Sequence, residues 1–267
     1  MSNTKPSTGP QPLESRHDIE REFHDNKAHH HHHHHQESEA RNFYAKGGMD
    51  AIWDAYLASI GELKKQTILD FGCGEGWSTI EYGKRGAEVY CFDISPGSLH
   101  NLLHEAEEEG IAAKIRPTVM AAEHLGYPSK TFDLVLGVSI LHHTDVGLVG
   151  REVARVLKPG GRALFIEPLA HNIFLRVFRW LTPNRRTPTE APMSVAQIRD
   201  FTRAFKHGDY RGYHLFSIFP QGILWLTKSQ GLFRLSLRLT EVIDRTLLSM
   251  FPFLQRYCWA AIIEVKN

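Results

Sequence analysis

Gly72, Gly74 and Gly76 fall at alternate positions in Thr67-Ile-Leu-Asp-Phe-Gly-Cys-Gly-Glu-Gly-Trp77, and an acid, Asp93, ends the next apolar run. Glycine reaches backbone conformations closed to other residues and lets a ligand approach the main chain. A helix starting after such a turn offers unpaired N–H groups and a positive dipole end. A carboxylate at the tip of the following strand is placed to accept hydrogen bonds from ribose hydroxyls. Together these residues predict a site for a nucleoside-containing cofactor.

A second group of residues has proton chemistry. His142 and His143 follow the apolar run Phe132–Gly137, and Glu167 ends Phe165-Ile166-Glu167, just before Pro168. A histidine near neutral pKa suits removal of a proton from an oxygen acceptor. One of the pair is expected to face an acceptor while its neighbour caps the following loop. Glu167 either acts at the same edge or fixes the loop beyond Pro168, and His171 is a third, weaker candidate. Cys73, Cys91 and Cys258 lie far apart and form neither a disulfide framework nor a metal-ligand spacing. The run His29–His35 reads as low complexity with adventitious metal affinity rather than a site, because metal ligands need fixed, mixed spacing. No resident metal is expected.

Positioning these groups requires alternating strands and helices. The pattern predicts strands at Thr67–Phe71, Glu88–Phe92, Ala113–Arg116, Phe132–Gly137 and Arg162–Glu167, with helices near 77–85, 96–109 and 146–157. Ser95 and Pro96 mark a helix start, and Lys158-Pro159-Gly160-Gly161 a helix stop. Five strands with intervening helices imply a doubly wound α/β parallel sheet with helices on both faces. Further elements are a basic–aromatic segment (170–190), a helix near 194–206, a strand near 210–216, a long apolar–basic helical region (219–250) and a final strand, Tyr257–Val265. Residues 1–40 read as a disordered or helical extension carrying the histidine run, residues 16–28 as a helix, and 43–60 as a helical cover. The domain is expected over 41–267, with its core at 61–168 and a lid or insertion over about 170–256.

With 267 residues the chain can bury a full core, and a net charge of +1 gives no general case for nucleic acid. The N-terminus is polar without a signal-peptide core, and no run approaches the roughly 18 apolar residues of a spanning helix. The expected setting is cytoplasmic.

A glycine turn alone serves NAD, FAD and S-adenosylmethionine sites alike. Here Asp70 precedes the glycines, Asp93 follows the second strand, Phe132-Asp133-Leu134-Val135 leads to Leu141-His142-His143, and Glu152-Val-Ala-Arg-Val-Leu-Lys-Pro-Gly-Gly161 closes the unit. Over roughly residues 40–170 the chain resembles the class I S-adenosylmethionine-dependent methyltransferases, especially their ubiquinone-biosynthesis-like small-molecule branch. The resemblance implies a Rossmann-like seven-stranded sheet with an antiparallel last strand, Cys258–Val265, paired with 210–216. It implies S-adenosylmethionine as cofactor, its methionine part surrounded by Asp70, Gly72, Cys73, Gly74 and Gly76. Asp93 would bind the ribose, Ile94 would lie against adenine, and Val138 and Ser139 would lie beneath the cofactor. Tyr44 matches an aromatic that covers the carboxylate in this branch, and equally fits helix packing. Where the family commonly places an Asp near the adenine amine, this chain has Ala121, so backbone around Ala121 and Ala122, beside Glu123, would take that role.

The implied reaction is methyl transfer to a small acceptor, hydrophobic or lipid-like, on oxygen or carbon, in a biosynthetic pathway. Arg176 and Arg179 lie on one face of an apolar helix, and 171–211 holds eight Lys or Arg against three Asp or Glu. Snorkelling arginines over a pocket wall, an anionic acceptor and a membrane surface all fit that segment. The apolar 219–254 insertion could cap a pocket, lie on a bilayer as a peripheral contact, or join two copies; the sequence leaves the oligomeric state open. No nucleic-acid substrate is expected, because Val138-Ser139-Ile140-Leu141 stands where such enzymes carry an Asn/Asp-Pro-Pro-aromatic motif. The competing classes are a non-catalytic S-adenosylmethionine-binding module and an NAD(P)-dependent oxidoreductase, which lacks here an evident Tyr–Lys pair.

Overall fold

The computed structural model describes residues 13–34, 50–182 and 187–267. Tyr44, Arg185 and Arg186 lie outside them. Seven strands form one sheet: β1 (Thr67–Phe71), β2 (Glu88–Asp93), β3 (Ile115–Val119), β4 (Phe132–Val138), β5 (Leu157–Pro168), β6 (His207–Tyr213) and β7 (Ala260–Lys266). Their order is β3-β2-β1-β4-β5-β7-β6, with β7 antiparallel to both neighbours and the first five strands parallel. This is the expected α/β, Rossmann-like sheet, including the pairing of the last strand with the one near 210. The order reverses between β1 and β4, where such sheets open a crevice at their carboxyl edge.

Alternate residues of the strands build two cores, as a sheet covered on both faces requires. On one face Ile68, Val89, Leu134 and Leu164 meet Ile52 and Tyr56 of α2 (Asp50–Ile60), Ile80 of α3 (Trp77–Lys84) and Leu102 of α4 (Pro96–Glu108). On the other, Phe71, Val135, Phe165 and Ile263 meet Val149 and Val153 of α5 (Val146–Val156) and Ile198 and Phe201 of α7 (Val195–Thr202). Ser95 caps α4 as expected, accepting from Ser98 N.

Three boundaries differ from the sequence pattern. Residues 112–114 form a 3-10 turn, so β3 starts at Ile115 rather than Ala113. β5 begins at Leu157 rather than Arg162, because Lys158-Pro-Gly-Gly161 stays within an irregular strand, where Gly160 has φ 78°. α7 stops at Thr202, and the chain enters β6 at His207 instead of near 210.

Four other α-helices complete the described residues. α1 (Leu13–His34) packs on α4. α6 (Ile173–Leu181) follows β5, and α8 (Pro220–Thr227) and α9 (Gln230–Met250) form the insertion between β6 and β7. α6 exposes Phe174, Val177, Trp180 and Leu181, and α9 exposes Leu232, Leu235, Leu239 and Val242. No helix among the described residues is long and apolar enough to cross a membrane.

Candidate functional site

β1 hands over to α3 through the glycine turn, and Asp93 ties that turn to the end of β2. Cys73 N donates to Phe92 O (2.9 Å), Gly74 N to Asp93 Oδ2 (2.8 Å), and Ser95 N to Asp93 Oδ1 (2.9 Å). Each carboxylate oxygen keeps capacity for another donor, as ribose hydroxyls would require. Asp93 is buried, and Ile94 beside it is half-buried.

The glycines divide into two kinds. A Cβ on Gly72 would lie 2.3 Å from Ile140 Cγ1 and one on Gly76 2.1 Å from Leu102 Cδ1, so these positions serve packing. A Cβ on Gly74 would meet nothing within 4 Å, so Gly74 is the glycine that leaves room for a ligand.

Asp70 sits below the turn. Its Oδ2 accepts from Ser78 Oγ (2.9 Å) and Thr79 Oγ1 (2.5 Å), while its buried Oδ1 has no partner. Burial outweighs these hydroxyl hydrogen bonds and raises its pKa to about 6. A buried, half-satisfied carboxyl beside an open glycine is the fit expected for a ligand's ammonium group. An S-adenosylmethionine-type ligand therefore fits the residues present.

Across the crevice, β4 ends in Val138 and a 3-10 turn, Leu141–His143, and β5 brings Glu167 beside it. Glu167 is fully buried. Its Oε1 accepts from Ile140 N (2.9 Å) and Leu141 N (2.7 Å), and its Oε2 from His142 Nδ1 (2.7 Å). Glu167 thus fixes the 140–142 backbone after β4, rather than the loop beyond Pro168 that the sequence suggested, and orients an imidazole. The hydrogen bond of the His142 ring is the one its Nδ1 makes to Glu167, and Nε2 stands on the opposite side of the ring. Burial and the neighbouring His143 hold the His142 pKa below its usual value, against the pull of Glu167. His171 does not join this group. It is exposed, edge-on to the Tyr257 ring at 6.4 Å.

The element that sequence reasoning underrated is α1. It crosses the same edge, and its polar side chains reach four parts of the site. His17 Nε2 donates to Glu123 Oε2 (3.0 Å); Asp25 Oδ1 accepts from Ser95 Oγ (2.5 Å) and Gly97 N (3.0 Å) at the start of α4; and His143 Nδ1 donates to Glu20 Oε2 (3.0 Å). His24 Nε2 lies 3.7 Å from Glu20 Oε2. Glu20 Oε1 accepts from Thr187 Oγ1 (2.7 Å) and Thr189 Oγ1. Burial opposes ionisation of Glu20, but these donors, led by His143, outweigh it and bring its pKa to about 2. For His143 the balance runs the other way: burial lowers its pKa, Glu20 and Glu190 more than restore it, and the net direction is up. Burial sets the direction for His24, which is down, against the charge of Asp93.

Glu123 spends both oxygens on the protein, on His17 and on Asp145 N (3.0 Å). Arg179 is likewise engaged, donating to Glu190 Oε1 (2.7 Å), so only Arg176 of the α6 pair stays exposed. One signal for α1 was available. Residues 16–27 carry only Ile19 and Phe23 as apolar residues, and Glu20 and His24 share a face through their i, i+4 spacing. Glu190 carries no comparable signal.

Comparisons with known proteins bear on the family resemblance and the fold. Residues 69–165 match the methyltransferase domain family. The chain is 37% identical over 110 residues to aklanonic acid methyltransferase DauC of Streptomyces sp. (strain C5), covering 39% of this chain and 49% of that protein. It is 33% identical over 104 residues to a ubiquinone biosynthesis O-methyltransferase of Azorhizobium caulinodans, covering 39% and 40% respectively. The chain thus spans about half or less of these relatives. Among solved structures, the geranyl diphosphate C-methyltransferase of Streptomyces coelicolor A3(2) aligns with TM-score 0.57 and 15% identity over 82% of this chain and 79% of that one. The [4+2]-cyclase SpnF aligns with TM-score 0.56 and 18% identity over 82% and 81%. These structural likenesses establish the fold. The sequence matches bear out the resemblance to small-molecule methyltransferases.

Proposed function

We propose that this chain, with its methyltransferase domain at 69–165, is an S-adenosylmethionine-dependent methyltransferase acting on a small, hydrophobic acceptor at oxygen or carbon. The observation that carries the reading is the pairing of two half-sites across one crevice: Asp70, Gly74 and Asp93 on one side, the His142–Glu167 pair on the other.

Asp70 Oδ1 takes the ammonium of the cofactor's methionine part, Asp93 its ribose hydroxyls, and Gly74 leaves space for its backbone approach. Ile94 and the backbone at Ala121 and Ala122 border adenine, and Val138 lies beneath the ligand. When bound, the cofactor supplies a methyl group whose C–S bond breaks as the acceptor bond forms, the electron pair staying on sulfur. Placement of the acceptor against that methyl contributes most of the rate. Glu167 holds the Nδ1 proton of His142, which leaves Nε2 as the lone pair that receives the acceptor's proton.

An apolar acceptor is supported by the exposed apolar surfaces of α6 and α9 and by the acceptors named in the relatives above. The test is incubation with methyl-labelled S-adenosylmethionine and a panel of phenols, quinols and β-keto acids. Label in an organic-soluble product, matched by S-adenosylhomocysteine, supports the reading. Tight cofactor binding with no transfer to any class would favour a binding module instead.

A further inference from the structure

Glu20 and His24 of α1 and His143 after β4 bring one ligand atom each within 4.8 Å of one another. We propose that this set is a divalent metal site of zinc type, a clasp that closes α1 over the crevice.

The donor chemistry is one carboxylate and two imidazoles, a set zinc accepts in four-coordinate sites with a position left open. Ligands bound at about 2.0–2.1 Å in tetrahedral geometry stand roughly 3.4 Å apart. Here Glu20 Oε2 is 3.0 Å from His143 Nδ1 and 3.7 Å from His24 Nε2, so the spacings bracket that value. The second distance is too long for a hydrogen bond. Glu20 and His24 stand one helical turn apart, which keeps both on the same face of α1.

The surroundings supply the outer support that metal ligands require. Glu20 Oε1 is held by Thr187 and Thr189, leaving Oε2 for the ion. His143 Nε2 lies 3.4 Å from Glu190 Oε2, and Arg179 holds the other oxygen of Glu190 at 2.7 Å. Charge points the same way. Glu20 and Glu190 face His143 with side chains 7% and 10% exposed, the fully buried Glu167 pairs with His142 next to it, and Arg179 pairs with Glu190. A dication balances such a cluster. The His24 side chain, 34% exposed, gives the ion a path from solvent.

Glu20 and His24 share one helix, but His143 lies more than a hundred residues further along the chain, so no single motif spacing spans the set. The site lies beside the proton-accepting pair without using it: His142 keeps its bond to Glu167. The ion would hold α1 against the sheet edge, with Asp25 at the start of α4 and His17 on Glu123.

The test is metal binding alone, without cofactor or acceptor, so its outcome does not depend on the methyltransferase reading. It uses the full chain with His29–His35 each replaced by glutamine, which removes the run's own metal affinity and preserves helix propensity. Zinc titration should show one ion per chain, and cobalt substitution an intense visible ligand-field band typical of four-coordination. Glu20→Gln and, separately, the more exposed His24→Gln should each weaken zinc binding about 100-fold. Zinc should slow tryptic cleavage at Arg21 and Lys27 about tenfold in the parent and in neither variant. No zinc binding by the folded parent would overturn the proposal. So would binding that survives both substitutions in chains whose circular dichroism and melting match the parent.

Discussion

His142 Nδ1 stands 2.7 Å from Glu167 Oε2, and the other oxygen of Glu167 gathers the amides of Ile140 and Leu141. One buried carboxylate thus sets both the backbone course and the ring orientation of the residue that follows β4. If this ring accepts the acceptor's proton, His142→Gln should lower kcat by about 10²–10⁴-fold while S-adenosylhomocysteine affinity stays within a factor of about three. Steady-state kinetics beside calorimetry would decide. Unchanged kcat would remove His142 from the chemistry.

Asp70 makes cofactor binding depend on pH. With its pKa raised to about 6 in the free protein by burial, the carboxyl is largely protonated at about pH 5 and ionised at about pH 7.5. A ligand ammonium favours the ionised form, so binding releases a proton at low pH and affinity falls as pH drops below about 6. S-adenosylhomocysteine should bind about tenfold more weakly at about pH 5 than at about pH 7.5. Asp70→Asn should bind more weakly throughout and lose this pH dependence. A flat profile in the unaltered chain would contradict the assignment of Oδ1 to the ammonium.

The two kinds of glycine should separate folding from binding. Gly76→Ala forces a Cβ into Leu102 at φ 85°, and should cost about 2–4 kcal/mol in urea unfolding. Gly74→Ala meets open space at φ 52°, and should cost only about 1 kcal/mol yet weaken S-adenosylhomocysteine binding at least about tenfold. Reversal of the two results would mean that the open side of the turn does not face the ligand.

The strand–turn–strand half of the site was legible because its signals are local. Gly72–Gly76, Asp93 and the apolar runs around them each carry a short-range rule, and so do Ser95 and Pro96. Strand ends at Leu157 and His207 were misplaced because pairing, not propensity, sets them: β5 begins by continuing its ladder with β4, and β6 by pairing with β7. The other half of the site depends on tertiary contacts. Glu20 reaches His143 only because α1 docks on α4, and Glu190 only because the loop before α7 returns to the sheet edge. Nothing within a window of neighbouring residues encodes either approach.

His214 should make the protein acid-sensitive. Burial lowers its pKa to about 4, and its Nε2 is buried without a partner. Between about pH 6.5 and about pH 4 the unfolded chain binds a proton that the folded chain does not, so stability falls as pH falls through that window. The loss attributable to His214 approaches about 3 kcal/mol. At φ 63° asparagine is the replacement best tolerated, and His214→Asn should flatten the urea-unfolding free energy across that window relative to the parent. Parallel curves for the two proteins would show that His214 does not titrate on unfolding in this range.

The central claim is that the Asp70–Gly74–Asp93 half-site holds an S-adenosyl ligand. Calorimetric titration of the full chain with S-adenosylhomocysteine, run beside NADH, tests it most directly. One site of about micromolar affinity for S-adenosylhomocysteine, none for NADH, and a weakening of about 1–3 kcal/mol in Asp93→Ala are the predicted results. No heat from S-adenosylhomocysteine with demonstrably folded protein, or saturable binding of NADH in its place, would contradict the account.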